Sequence, residues 1–156
     1  MMISDISGYR LELAGKCGVD VAVNTQSEDF GDALVEHFGP DKVDVIYDCA
    51  ANDITMGQAI RCARKGSTII LVGVYSSMAH VDLAMLNDHE LDLNTTMMYR
   101  REDFEKAISL LEEKKIRLTP LVSRHFNLRQ FPEAYRYIDE NRETAMKVLI
   151  DITEEK

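Results

Sequence analysis

The apolar positions of this chain switch repeatedly between a strand spacing and a helix spacing. Met1 to Asp5 is a short apolar run ending on a carboxylate, and it turns at once into a segment with Arg10, Leu13, Ala14 and Cys17 at helical spacing. Gly18 follows, where a left-handed helix cap is favoured. Val21 to Asn24 reads as the next strand, after which Phe30, Ala33, Leu34 and Phe38 mark a helix closed by Gly39-Pro40. Val43 to Tyr47 is a third strand, reaching Asp48 and Cys49, and Met56, Ala59, Ile60 and Ala63 define the helix beyond it. Ser67 to Val72 comes next, continuously apolar from Ile69, which predicts a sheet covered on both faces. Strands alternating with helical stripes predict right-handed β-α-β crossovers, so the fold class is α/β with a doubly wound parallel sheet.

Gly73 to Met78 is then a loop at the C-terminal end of a strand, the edge at which ligands sit in open α/β sheets. Val81 to Asp88 predicts a short helix and Leu91 to Thr96 another strand, in which Leu91 and Leu93 alternate with Asp92 and Asn94. Phe104, Ala107, Ile108 and Leu111 form the most regular helical stripe, and Lys114-Lys115 at its end suit the negative pole of the helix dipole. Composition breaks at Arg117 to Pro120. Past the break come a strand at Leu121 to Asn127, a helix with Phe131, Ala134, Tyr135 and Ile138 on one face, and a strand at Met146 to Ile152. Such a β-α-β tail is too small to hold a core alone and needs a partner for its apolar faces.

Composition narrows the function classes. At 156 residues, 46% hydrophobic and 29% charged, the chain has the make-up of an ordinary globular domain. Eighteen Lys and Arg against 27 Asp and Glu give a net charge of −9 with no basic stripe, which excludes nucleic acid and anionic membrane as partners. No apolar run approaches the roughly 20 residues of a membrane helix, and the N-terminus lacks the zones of a signal peptide. The expected location is cytoplasmic. Cys17, Cys49 and Cys62 form no C-x-x-C pair and read as reduced, buried thiols, while the four histidines show no H-x-x-x-H spacing.

Asp5 carries the first chemical suggestion. In a dinucleotide-binding sheet the acidic residue closing the second strand accepts hydrogen bonds from the adenosine ribose, about 20 residues beyond a Gly-rich turn. Only four residues precede Asp5, so the first strand and that turn are not upstream within this sequence. The sequence reads as one that starts inside a domain. In the strand order 3-2-1-4-5-6 the missing strand belongs between the strands at Met2 and Val43. Asp5 also has a purely structural reading, as a cap for the helix after it.

Four stretches, in order and spacing, carry a family resemblance. They are Ser4-Asp-Ile-Ser7 with Arg10, the strand end Asp44-Val-Ile-Tyr-Asp-Cys49, Gly66-Ser-Thr-Ile-Ile-Leu-Val-Gly-Val74, and Leu121-Val-Ser-Arg-His-Phe126 before Pro-Glu-Ala. Together they resemble the C-terminal half of a zinc-type medium-chain alcohol or polyol dehydrogenase of the sorbitol dehydrogenase kind, from Met1 to Ile152. The resemblance implies a Rossmann-type domain over residues 1–117, lacking its first strand and Gly-rich turn, and a tail over 118–156 that packs on a catalytic domain. It implies that Asp5 holds the adenosine ribose, that Arg10 lies over the same ribose and that Ile6 lines the adenine cleft. Val72, Gly73 and Val74 would orient the nicotinamide carboxamide, with Arg100 on the nicotinamide side and Lys147 approaching the pyrophosphate. Arg10 and Lys147 also read as solvated surface residues.

An acid at Asp5 implies NAD, since it repels a 2′-phosphate. The parent family uses zinc, whose ligands and catalytic residues are absent from this sequence. The function implied is the cofactor-binding part of an oxidoreductase acting on the CH–OH group of a secondary alcohol or polyol. The expected partners are NAD, such a substrate and further copies of the chain, as a homodimer or homotetramer joined through Leu91 to Thr96. The chain alone is expected to be inactive, as a fragment. The alternative is a non-catalytic half-domain that acts as a dimerisation or interaction module.

Overall fold

A computed structural model describes residues 1–152. The chain forms two compact units, one of Met1–Gln26 with the residues from Glu102 onward, the other of Ser27–Arg101.

The first unit opens with strand β1 (Met2–Asp5), helix α1 (Gly8–Cys17) and strand β2 (Val21–Asn24). The strands are parallel, with Met2 opposite Val21 and Asp5 opposite Asn24. Ser7 starts the helix by accepting the Arg10 N–H on its side-chain oxygen at 3.4 Å. Gly18 ends it at φ 102°, its N–H donating to the Ala14 and Gly15 carbonyls. That angle suits glycine because no Cβ crowds the carbonyl. Leu11, Leu13 and Ala14 face inward, whereas Arg10, expected on the apolar stripe, is exposed.

The second unit runs through α2 (Phe30–Phe38), β3 (Val45–Asp48), α3 (Asp53–Cys62), β4 (Thr68–Leu71), α4 (Leu83–Asp88) and β5 (Asp92–Thr95). Its three strands lie parallel in the order β3-β4-β5. Met56, Ala59, Ile60, Ala63, Ile69 and Leu91 form its core, with Ile46, Leu71, Val81, Met85 and Leu86 packed around them. Fully burying one Ile, Leu or Met side chain stabilises by about 1.5–3 kcal/mol, so this cluster fixes β4 against α3.

The remainder of the first unit comprises α5 (Arg101–Glu112) from its second residue on, a 3-10 turn at Thr119–Leu121, β6 (Val122–Asn127), α6 (Phe131–Glu140) and β7 (Lys147–Asp151). β6 and β7 are parallel, with an irregularity between Val122 and Arg124. Phe126 and Ala134 are buried, and the Phe126 and Tyr137 rings meet at 5.8 Å between centroids.

Every strand pair is parallel, and strands alternate with helices, as an α/β fold of Rossmann type requires. Among the described residues β1 pairs only with β2 and β3 only with β4, so the sheet is present in separate pieces. No described helix is long and apolar enough to cross a membrane.

Several details differ from the sequence reading. The helix expected from Val81 begins at Leu83, because Asp82 caps it by accepting the Met85 N–H at 3.0 Å. β4 ends at Leu71, leaving Val72 outside the strand and exposed, so the two-sided cover expected along this run is reached at Ile69 and lost at Val72. Every residue of β5 is exposed, and the apolar anchor Leu91 lies just before it. The regular stripe of α5 is not buried: Phe104, Ile108 and Leu111 all face outward.

Candidate functional site

The C-terminal end of β1 places Asp5 at the turn into α1. Its Oδ1 accepts the Ser7 N–H at 2.8 Å, while Oδ2 lies 3.9 Å from an Arg10 guanidinium nitrogen. Ser7, not Asp5, is the N-cap of α1. The Asp5 side chain is 27% exposed, so one carboxylate edge is committed to the turn and the other stays within reach of a ligand. Ile6, between them in sequence, is exposed. Asp5, Ile6 and Arg10 therefore share one corner of the first unit.

Lys147 is in that same unit, at the start of β7 and in register with Val122. It is exposed.

In the second unit a pocket of about 320 Å³ opens beyond the C-terminal ends of β4 and β5. Leu71, Gly73, Val74, Tyr75, Thr95, Thr96 and Met97 line it. Two of the three residues expected there, Gly73 and Val74, belong to its wall, and Val72 precedes them on the exposed side. Thr95, Thr96 and Met97 were not singled out from sequence. The rule that pointed to Gly73 would have found them, since they continue the neighbouring parallel strand at the same edge. Arg100 lies just before α5 and does not line the pocket.

Asp48, at the end of β3, is buried beneath this edge. Its Oδ1 accepts the Ala50 N–H at 3.1 Å, the Ala51 N–H at 3.2 Å and the Thr55 hydroxyl at 3.0 Å. Burial, then the charges of Asp48 and Asp53, push the Tyr75 phenol above its ordinary titration range. Burial and the Asp48 charge likewise raise the Cys49 thiol. Cys49 is itself exposed, because the turn after β3 leaves the core, and Cys17 and Cys62 are only partly buried, which corrects the expectation of three buried thiols.

Three histidines lie beside carboxylates, His80 at 2.8 Å from Asp53, His125 at 3.1 Å from Asp151 and His89 at 3.9 Å from Asp88. The His80 contact lowers the Asp53 carboxyl below its usual range. A catalytic zinc needs three converging protein ligands in a shielded site. Among the described residues only Glu28, Glu36 and His37 bring three suitable atoms within 4.8 Å of one another, and all three are exposed. That surface group does not fit a catalytic zinc.

Parallel strands alternating with helices in both units are the pattern of a Rossmann-type α/β fold. Residues 1–113 match the zinc-binding dehydrogenase family, and the chain belongs to it. An alcohol dehydrogenase from Cupriavidus necator is 29% identical over 151 residues, covering 94% of this chain and 41% of its own length. Sorbitol dehydrogenase from Ovis aries is 27% identical over 152 residues, 96% of this chain and 42% of its own. The fold is shared with an alcohol dehydrogenase from Escherichia coli CFT073 solved with NADH, at TM-score 0.83 and 23% identity, over 97% of this chain and 44% of that one. The chain thus spans about two-fifths of the length of the curated relatives it matches.

Proposed function

We propose that this chain is the NAD-binding part of a zinc-assisted oxidoreductase that acts on the CH–OH group of a secondary alcohol or polyol. The observation that carries the reading is the Asp5 corner: a half-buried carboxylate ending a parallel strand, with Arg10 beside it. A ribose diol donates two hydrogen bonds to a carboxylate, whereas a 2′-phosphate meets like charge there. Ile6 offers an apolar surface to the adenine, and Lys147 a cation for the pyrophosphate. In the second unit, the backbone of Val72, Gly73 and Val74 presents polar groups to the carboxamide, with Arg100 on the nicotinamide side. When bound, the nicotinamide supplies the hydride acceptor for alcohol oxidation. The chain's own residues bind and orient it.

In this reading residues 1–117 belong to the cofactor domain and the tail from 118, whose residues 153–156 lie outside the described ones, packs on a catalytic domain, which also supplies zinc ligands. β5, the edge of its sheet, joins two copies. The reading as a non-catalytic interaction module draws support from a different observation, the outward apolar stripe of Phe104, Ile108 and Leu111 on α5.

The test is a fluorescence titration of NADH and NADPH against the wild type, Asp5→Ala and Asp5→Asn, in the longest chain that folds. A charge-assisted hydrogen bond contributes about 1.5–3 kcal/mol, and about 1.4 kcal/mol is one decade of affinity. Losing even one such bond should weaken NADH roughly tenfold or more in Asp5→Ala without weakening NADPH. Equal NADH affinity in wild type and mutant, or a wild-type preference for NADPH, would remove Asp5 from the site.

A further inference from the structure

We propose that Asp48 is the positioning residue of the pocket over β4 and β5, setting the Gly73–Tyr75 wall through the turn that its carboxylate holds. It deepens the cofactor reading, on which only the identity of the pocket's ligand depends.

Asp48 grips two segments at once. Its carboxylate oxygen Oδ1 accepts the Ala50 and Ala51 N–H groups and the Thr55 hydroxyl, tying the Cys49–Ala51 turn to the first turn of α3. Its main-chain carbonyl accepts the Val72 N–H at 2.9 Å and the Gly73 N–H at 3.0 Å. The turn and the pocket wall therefore meet on one residue.

They also meet each other. A Cβ built on Gly73 would lie 2.7 Å from the Ala51 Cβ, 2.8 Å from the Cys49 carbonyl oxygen and 2.9 Å from the Ala51 nitrogen. Gly73 thus rests directly on the turn, and a shift of the turn must move the wall. Ala51 sits at φ 51°, a left-handed conformation that a residue with a Cβ adopts only when its surroundings hold it there. The two N–H groups that Asp48 accepts belong to this residue and the one before it. Without the carboxylate, Ala51 has reason to relax to negative φ, and the support under Gly73 goes with it.

The position calls for an acceptor, not for a charge. Oδ2 of Asp48 is buried with no hydrogen-bond partner, so an ionised carboxylate gains nothing on that side. Asparagine keeps an oxygen where Oδ1 stands. Asp48→Asn should therefore hold the turn, and Asp48→Ala should not.

Amide hydrogen exchange by NMR on the full chain reads this without any ligand. The informative amides are Val72 and Gly73, whose acceptor is a main-chain carbonyl that no side-chain substitution removes. In Asp48→Ala they should exchange at least tenfold faster, with Ile60 and Leu91 unchanged. Asp48→Asn should keep wild-type protection. Adding Ala51→Gly to Asp48→Ala should restore part of it, since glycine adopts the left-handed conformation readily. NADH titrated in parallel should lose at least tenfold in affinity in the alanine variant only. Wild-type protection of Gly73 in Asp48→Ala, or an asparagine variant that behaves like alanine, overturns the proposal. Should Asp48→Ala not fold, Asp48→Asn alone carries the test, and exchange of Val72 and Gly73 at least tenfold faster than wild type there overturns it equally. A wild type that binds no NADH defeats the cofactor reading and leaves the exchange result to decide the role of Asp48.

Discussion

Gly73→Ala adds one methyl group where the structure leaves no room for it. Three heavy atoms would lie under 3.0 Å from the new Cβ, and two of them, the Cys49 carbonyl oxygen and the Ala51 nitrogen, are main-chain atoms. Flexible side chains cannot absorb the strain, because the turn beneath is tied to Asp48 and α3 by three hydrogen bonds. Overpacking of this kind costs about 1–3 kcal/mol. For a domain of this size each kcal/mol moves the melting temperature by about 2–4 °C, so a mid-range cost lowers Tm by roughly 4–8 °C. Gly15→Ala provides the opposite sign from the same chemical change. Gly15 lies inside α1 with nothing within 4 Å of its would-be Cβ, and alanine is favoured over glycine in a helix interior by about 0.8–1.0 kcal/mol. Thermal and urea unfolding followed by circular dichroism would measure both variants against wild type. A Gly73→Ala protein as stable as wild type, or no less stable than Gly15→Ala, would refute the close approach of Gly73 to the turn.

Three more outcomes follow from the geometry. Ile60→Ala empties a fully buried site at the centre of the second unit and should cost about 2–5 kcal/mol in urea unfolding, a loss that Ile54→Ala at the exposed start of α3 should not show. The Tyr75 phenol titrates above its ordinary value of 10.0, so the fold favours its neutral form. The stability this lends is present below pH 10.0 and is lost as pH rises through the higher folded value; Tyr75→Phe should flatten that part of the alkaline unfolding profile. β5 is an edge strand with every residue exposed, and the dimer proposed through it should appear by sedimentation at micromolar concentrations and be lost when Leu93 is replaced by proline.

What could be read from sequence was what depends on local spacing. The alternation of strand and helix, the left-handed Gly18 and the buried stripe Met56, Ala59, Ile60 and Ala63 all arise from residues a turn or two apart, and the structure has each of them. Asp5 could be placed for the same reason: a carboxylate that ends a strand is a feature of five consecutive residues. Boundaries were less legible, because they are decided by single hydrogen bonds, such as the Asp82 cap that starts α4 at Leu83. The role of Asp48 could not be seen, since it read only as the end of a strand. Its meaning lies in a turn that folds back under Gly73, far along the chain.

The stripe on α5 marks the sharper limit. Phe104, Ile108 and Leu111 follow helical periodicity faithfully, yet they are 60%, 56% and 44% exposed, and α6 likewise turns Phe131, Tyr135 and Ile138 outward. Periodicity states that a helix has an apolar side; it carries no information on what covers that side, because the covering residues belong to another element. Burying three such side chains is worth about 1.5–3 kcal/mol each, comparable to the whole stability of a small domain. Among the described residues of the tail only Phe126 and Ala134 are buried, so the α5 and α6 faces contribute little of that stabilisation as they stand. A regularly patterned helix in the sequence is therefore largely uncovered in the structure. Its substitution Ile108→Asp should leave the unfolding free energy of this chain nearly unchanged, the reverse of what its spacing alone would suggest.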